Sequence, residues 1–99
     1  LQQVEKNYLE IEEKLADSEI VSNLERYTSL MKEYKNLSPI VEKFREYTLA
    51  VNNENEAKSI LSDKPDADMK MLAEEEIRNA QIAKEKTWNQ LKILLIIHF

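Results

Sequence analysis

The chain has 99 residues, of which 42% are hydrophobic and 33% charged, with no Gly, no Cys, two Pro and a formal net charge of -5 from 14 basic and 19 acidic side chains. Without cysteine there is no disulfide framework and no thiolate metal site. With bases interspersed among acids (Glu5-Lys6, Lys32-Glu33, Glu42-Lys43, Lys84-Glu85-Lys86) there is no basic face to neutralise phosphates, which predicts weak or no direct binding of nucleic acid.

An average globular domain is about 7% Gly, so its absence predicts long helices with few tight turns, and the length predicts one helical domain over residues 1–99. Val4, Tyr8, Ile11 and Leu15 recur at spacings of four, three and four. That spacing predicts an amphipathic helix over about residues 2 to 16, with Glu5, Lys6, Glu12, Glu13 and Lys14 mostly on its other side. It stops at Asp17-Ser18, residues that bond their own backbone in turns. Ser22 and Glu25 make the Ser-x-x-Glu pattern of a capping box, so a second helix is expected from Ser22. Leu24, Tyr27, Leu30, Met31, Tyr34 and Leu37 would form its apolar face, with Ile20 and Val21 tucked against its first turn.

Pro39 lacks an amide and clashes with the carbonyl four residues earlier, which predicts a new or sharply kinked third helix beginning at Ser38-Pro39. Ile40, Phe44, Tyr47, Val51, Ala57 and Leu61 carry its stripe, interrupted at Asn52-Asn53-Glu54-Asn55, where polarity predicts a thin or solvated stretch. Ser62-Asp63-Lys64-Pro65-Asp66 is the clearest turn, with Asp66 as N-cap and Asp68 near the positive end of the next helix dipole. A fourth helix is expected over about residues 67 to 95, striped by Met69, Leu72, Ala73, Ile77, Ala80, Ala83, Trp88, Leu91, Leu94 and Leu95. The short connection makes helices three and four antiparallel neighbours. The expected fold is therefore all-α with four helices: a long antiparallel hairpin of helices three and four, arms of roughly 35 to 45 Å, and two shorter N-terminal helices packed at its open end.

No pattern points to chemistry. His98 is the only histidine and reads as a residue at a frayed end, so neither metal nor cofactor is expected. Glu74-Glu75-Glu76 and Glu12-Glu13 read as solvated helix faces, because paired-carboxylate catalysis also needs a walled pocket. Ile93 to Ile97 is far shorter than the ~20 apolar residues that span a bilayer; it reads as a packing surface whose exposure would drive self-association. Tyr8, Tyr27, Tyr34, Tyr47 and Trp88 read as core or half-core positions before they read as a base-stacking platform. Met31, Met69 and Met71 read as gap-filling residues. No charged segment followed by an apolar stretch opens the chain, so no signal peptide is expected and the cytoplasm is the default location.

With the elements placed, "LADSEIVSNLERYTSLMKEYKNLSPIVEKFREY", then "MKMLAEEEI" and a closing "LKILL", resembles the N-terminal domain of the bacterial class I peptide chain release factors over about residues 4 to 95. Ser22 to Tyr27, Lys32 to Tyr34 and Arg45 to Tyr47 resemble the branch that reads UAA and UAG more than the branch that reads UAA and UGA. The resemblance implies a domain that lacks the codon-reading tripeptide and the Gly-Gly-Gln loop for peptidyl-tRNA hydrolysis, both of which lie in later domains of that family. It implies no enzymatic activity for this chain, and contacts with the protein-rich base of the ribosomal stalk and with the recycling GTPase, release factor 3. The family pattern closes the last helix with Leu and then Pro, whereas Ile96-Ile97-His98-Phe99 follow here. The turn Asp63, Lys64, Pro65 and Asp66 reads first as a plain hairpin turn and second as the candidate partner-binding tip, because it lies farthest from the bulky core and its backbone is exposed. The alternative, a generic helical-hairpin adaptor or coiled-coil oligomerisation module, is weakened by a stripe too irregular for sustained heptads.

Overall fold

The computed structural model describes residues 1–99. All regular structure is helical: α1 is Gln2–Leu15, α2 Ser18–Val21, α3 Leu24–Ser62 and α4 Ala67–His98. Two compact units can be distinguished, Leu1–Glu42 with Leu94–Phe99 and Lys43–Ile93, and α3 and α4 each run through both. None of the helices is long and apolar enough to cross a membrane.

In the first unit α1 packs on the N-terminal half of α3 through the stripe its spacing predicts, with Tyr8 and Ile11 buried. The Tyr8 ring stacks on Tyr34, centroids 4.6 Å apart and planes 9° from parallel. The Ser38 hydroxyl donates to the Tyr34 carbonyl at 2.8 Å. Its one proton being used there, the Tyr8 hydroxyl is the donor in the 3.1 Å contact with Ser38 Oγ. Tyr34 in turn donates to Glu12 Oε1 at 3.1 Å.

That clasp bears on the largest departure from the sequence reading. The second and third helices expected on either side of Pro39 are one helix, α3, with Pro39 in its interior. Proline in a helix interior costs about 3 kcal/mol. Immediately after it Ile40 and Val41 are 0% and 1% exposed, and burying each contributes roughly 1.5–3 kcal/mol. Their burial is large enough to offset the lost backbone bond, so packing overrides local preference. The count of four helices is met differently: the connector contributes α2, a single turn capped by Asp17 Oδ1, which accepts from the Glu19 amide at 2.9 Å.

The expected capping box at Ser22 does not form. Ser22 Oγ donates back to the Glu19 carbonyl at 2.8 Å, finishing α2. Asn23 caps α3 instead, its Oδ1 accepting from the Arg26 amide at 3.2 Å. Leu24, the first residue of α3, is 78% exposed, off the apolar face where it was expected. Ile20 is buried as predicted, while Val21 is exposed.

In the second unit α3 and α4 form the antiparallel hairpin. Its seam is made of small residues seven apart, Ala50 and Ala57 on α3 and Ala73, Ala80 and Thr87 on α4, all buried. Alanines at this spacing return to one helix face and let two backbones approach closely. Thr87 satisfies its hydroxyl by donating to the Ala83 carbonyl at 2.7 Å. The bulky residues expected in the stripe flank the seam: Tyr47 meets Trp88 at 5.5 Å between centroids, and Leu91 is fully buried. Met69, Leu72 and Trp88, which were expected in the buried stripe, are exposed, because the alanines occupy the contact line.

The stretch expected to be solvated contains the hairpin's one buried carboxylate. Glu54 is 6% exposed, with Lys58 on its own helix at 2.9 Å from Oε1 and Lys84 of α4 at 3.4 Å from Oε2. The hydrogen bond from Lys58 holds the Glu54 carboxyl below the usual carboxylate range against desolvation, with Lys84 acting in the same direction. Polarity misled the sequence reading because a charge can be buried once it is paired.

Two measurements check this account. Asn23→Ala should lower unfolding stability by about 1 kcal/mol in urea titrations, and Ser22→Ala by clearly less; the reverse order would restore the capping box. Because the folded carboxyl of Glu54 titrates below its unfolded value, its contribution is present above the unfolded value and is lost as pH falls through the folded one. The melting temperatures of wild type and Glu54→Gln should therefore differ most near neutral pH and converge on acidification. A constant gap down to about pH 3 would show that Glu54 is not the titrating group.

Candidate protein-contact surface

The turn singled out in the sequence is where the backbone is most constrained. Ser62 ends α3, and the Asp63 amide donates to the Ile60 carbonyl at 3.2 Å. Lys64 then takes a left-handed conformation with φ of 53°. A residue bearing a Cβ costs roughly 1–2 kcal/mol there, and the chain has no glycine to substitute. Pro65 follows, half-buried, and Asp66 caps α4 as expected, its Oδ1 accepting from the Met69 amide at 2.8 Å. The four predicted residues thus lie in one turn, but not equivalently. The Asp66 carboxylate is occupied by the helix terminus, whereas Asp63 and Lys64 present their charges to solvent.

Beside this turn lies a feature the sequence reading missed. Ile60, Met69 and Leu72 are exposed and line one depression. Exposed apolar side chains grouped near one another mark contact surfaces. The signal was present in the spacing: Ala73, Ala80 and Thr87 repeat at seven, and Met69 and Leu72 fall outside that series.

A groove runs from this patch along one side of the alanine seam. One part, about 430 Å³, is lined from Lys43 to Asn53 on α3 and from Glu76 to Gln90 on α4. A second part, about 260 Å³, continues to Ile60 and Met69 and shares Asn53 and Glu76 with the first. Tyr47, Lys84 and Trp88 line a separate depression.

Nothing in these surfaces resembles a reaction centre. Glu74, Glu75 and Glu76 are exposed along α4, and no group of three His, Cys, Asp or Glu side chains converges in a way that could hold a metal ion. The aromatic residues pair within the fold, Tyr8 with Tyr34 and Tyr47 with Trp88. His98 is the exposed last residue of α4. What the surface offers is an open, mixed charged and apolar area with no walled cavity.

The chain is 45% identical over 96 residues to peptide chain release factor 1 of Caldicellulosiruptor saccharolyticus and 46% identical to that of Caldicellulosiruptor bescii, covering 97% of this chain and 27% of each relative. It is 37% identical over 97 residues to peptide chain release factor 1 of Streptococcus thermophilus, again covering 27% of that protein. The chain therefore spans about a quarter of the length of these relatives. No solved structure matches it. The model of the PCRF domain matches residues 4–98, in agreement with the family resemblance read over about residues 4 to 95, and the chain belongs to the PCRF domain family.

Proposed function

We propose that the chain is the N-terminal helical domain of a class I translation release factor and serves as one docking unit of the longer protein. The observation that carries this reading is the PCRF match over residues 4–98, together with relatives that bear the name peptide chain release factor 1. The whole factor would read UAA and UAG in the cytoplasm and trigger peptidyl-tRNA hydrolysis on the ribosome through other domains. This chain would perform no chemistry. Its net charge of -5 favours a protein surface over bare ribosomal RNA.

Within that role the hairpin tip, Asp63, Lys64, Pro65 and Asp66, contacts the stalk-base protein or the recycling GTPase. Lys64 is the side chain that matters most, since it is exposed on a backbone held by the α3 terminus and Pro65. Loops fixed on rigid elements in this way are suited to recognition.

Lys64→Glu keeps a Cβ at the left-handed position, so it should leave the fold and the melting temperature unchanged. In the full-length factor it should weaken binding to ribosomes carrying the stalk base by several-fold, with hydrolysis of peptidyl-tRNA at saturating factor preserved. Unchanged binding would remove the tip from the interface. A full-length reading frame without Gly-Gly-Gln would remove the release-factor reading itself.

A further inference from the structure

We infer that α1 is a strap that keeps α3 continuous: seated on the turn before Pro39 it holds one unbroken helix, and lifted from that turn it lets α3 open at the proline. The inference rests on contacts within the first unit and is independent of the release-factor reading.

Local chemistry favours an opening at this point. Pro39 has no amide, so the Lys35 carbonyl loses the donor that a helix supplies, and the proline ring crowds that carbonyl. Ser38, as the residue before a proline, is pushed away from helical backbone angles. Its hydroxyl donates to the Tyr34 carbonyl at 2.8 Å, a back-bond of the kind that bends helices. Three weaknesses thus fall within one turn. Pro65, the other proline, lies outside the helices.

Contacts from α1 fall on the same turn. The Tyr8 ring stacks on Tyr34 with centroids 4.6 Å apart, and its hydroxyl bonds Ser38 Oγ at 3.1 Å. One turn further along α1, Glu12 Oε1 accepts from the Tyr34 hydroxyl at 3.1 Å. Receiving the Tyr8 proton leaves the Ser38 proton aimed at the Tyr34 carbonyl, so one chain of bonds runs from Tyr8 through Ser38 into the α3 backbone. Tyr34 and Ser38 precede Pro39, whereas the buried Ile40 and Val41 follow it. The strap therefore grips one side of the weak point while burial anchors the other.

The strap has its own points of articulation. It reaches α3 through the four residues of α2, with non-helical Ala16-Asp17 before them and Ser22-Asn23 after. Its buried face is narrow, Tyr8 and Ile11, and elements with few buried contacts are the first to open. Because the seat of α1 and the continuity of α3 are coupled, the coupling is reciprocal. A partner that takes the Tyr8 face of α1 opens α3, and one that binds unbroken α3 holds α1 down.

The backbone bonds that span the proline report which state is present. In an α-helix the amides of Ile40, Val41 and Glu42 donate to the carbonyls of Asn36, Leu37 and Ser38. They are kept while the strap is seated and lost together when α3 opens. The test is hydrogen exchange of the 99-residue chain under native conditions, followed amide by amide by NMR. Tyr8→Phe keeps the ring and removes the hydroxyl; it should accelerate exchange at Ile40, Val41 and Glu42 by about fivefold more than at Val51 to Leu61. Tyr8→Leu, which also removes the stack, should accelerate them further. Pro39→Ala restores a donor for Lys35, and in that background Tyr8→Phe should still loosen the α1 amides but leave Ile40 to Glu42 no faster than Val51 to Leu61. Equal acceleration along all of α3 in the Tyr8 variants would overturn the inference, since it reports overall destabilisation alone. So would no change at Ile40 to Glu42 in either Tyr8 variant, or an acceleration there that persists in the Pro39→Ala background.

Discussion

Between Tyr34 and Val41 the chain places a proline inside a helix and keeps the helix intact, and the rest of the structure depends on that continuity. Pro39 removes one backbone bond, but the next two residues, Ile40 and Val41, are almost wholly withdrawn from water. The turn before it is gripped from α1, where Tyr8 stacks on Tyr34 and bonds Ser38. Burial on one side and a polar clasp on the other outweigh a local penalty of about 3 kcal/mol. The outcome is a single 39-residue helix where local rules expect two.

The hairpin follows a different logic. Large side chains usually hold helices apart; here Ala50 and Ala57 meet a line of Ala73, Ala80 and Thr87, and the contact is made by small groups at heptad spacing. Such a seam buries little area per residue. The Glu54 carboxylate, held by Lys58 and Lys84, adds a directional link between the two helices, and Tyr47 with Trp88 adds bulk beside it. Because the seam takes the alanines, the larger apolar residues Leu49, Met69 and Leu72 are left outside it. The surface available to partners is thus a consequence of how the helices pack.

These features suit a domain that works by contact. An acidic chain with pairwise-packed aromatics has little to offer a phosphate backbone. A rigid hairpin with a strained, charged turn and an apolar groove has more to offer proteins. Lys64 holds a conformation usually left to glycine, so the tip retains a side chain and a charge where many turns carry neither.

The sequence by itself determined the helical class, the α1 stripe of Tyr8 and Ile11, the turn at Asp63 to Asp66 with its Asp66 cap, and the family resemblance in Ser22 to Tyr27 and its companions. Periodicity and capping are local, short-range properties, and they survive into the fold because nothing distant opposes them. Tertiary structure alone decided that α3 runs through Pro39, that Asn23 and not Ser22 caps it, that Glu54 is buried and that Met69 and Leu72 are exposed. Each of these turns on which surfaces another helix covers: a packing gain of a few kcal/mol overrides a propensity of similar size, and no window of sequence contains the partner that supplies it.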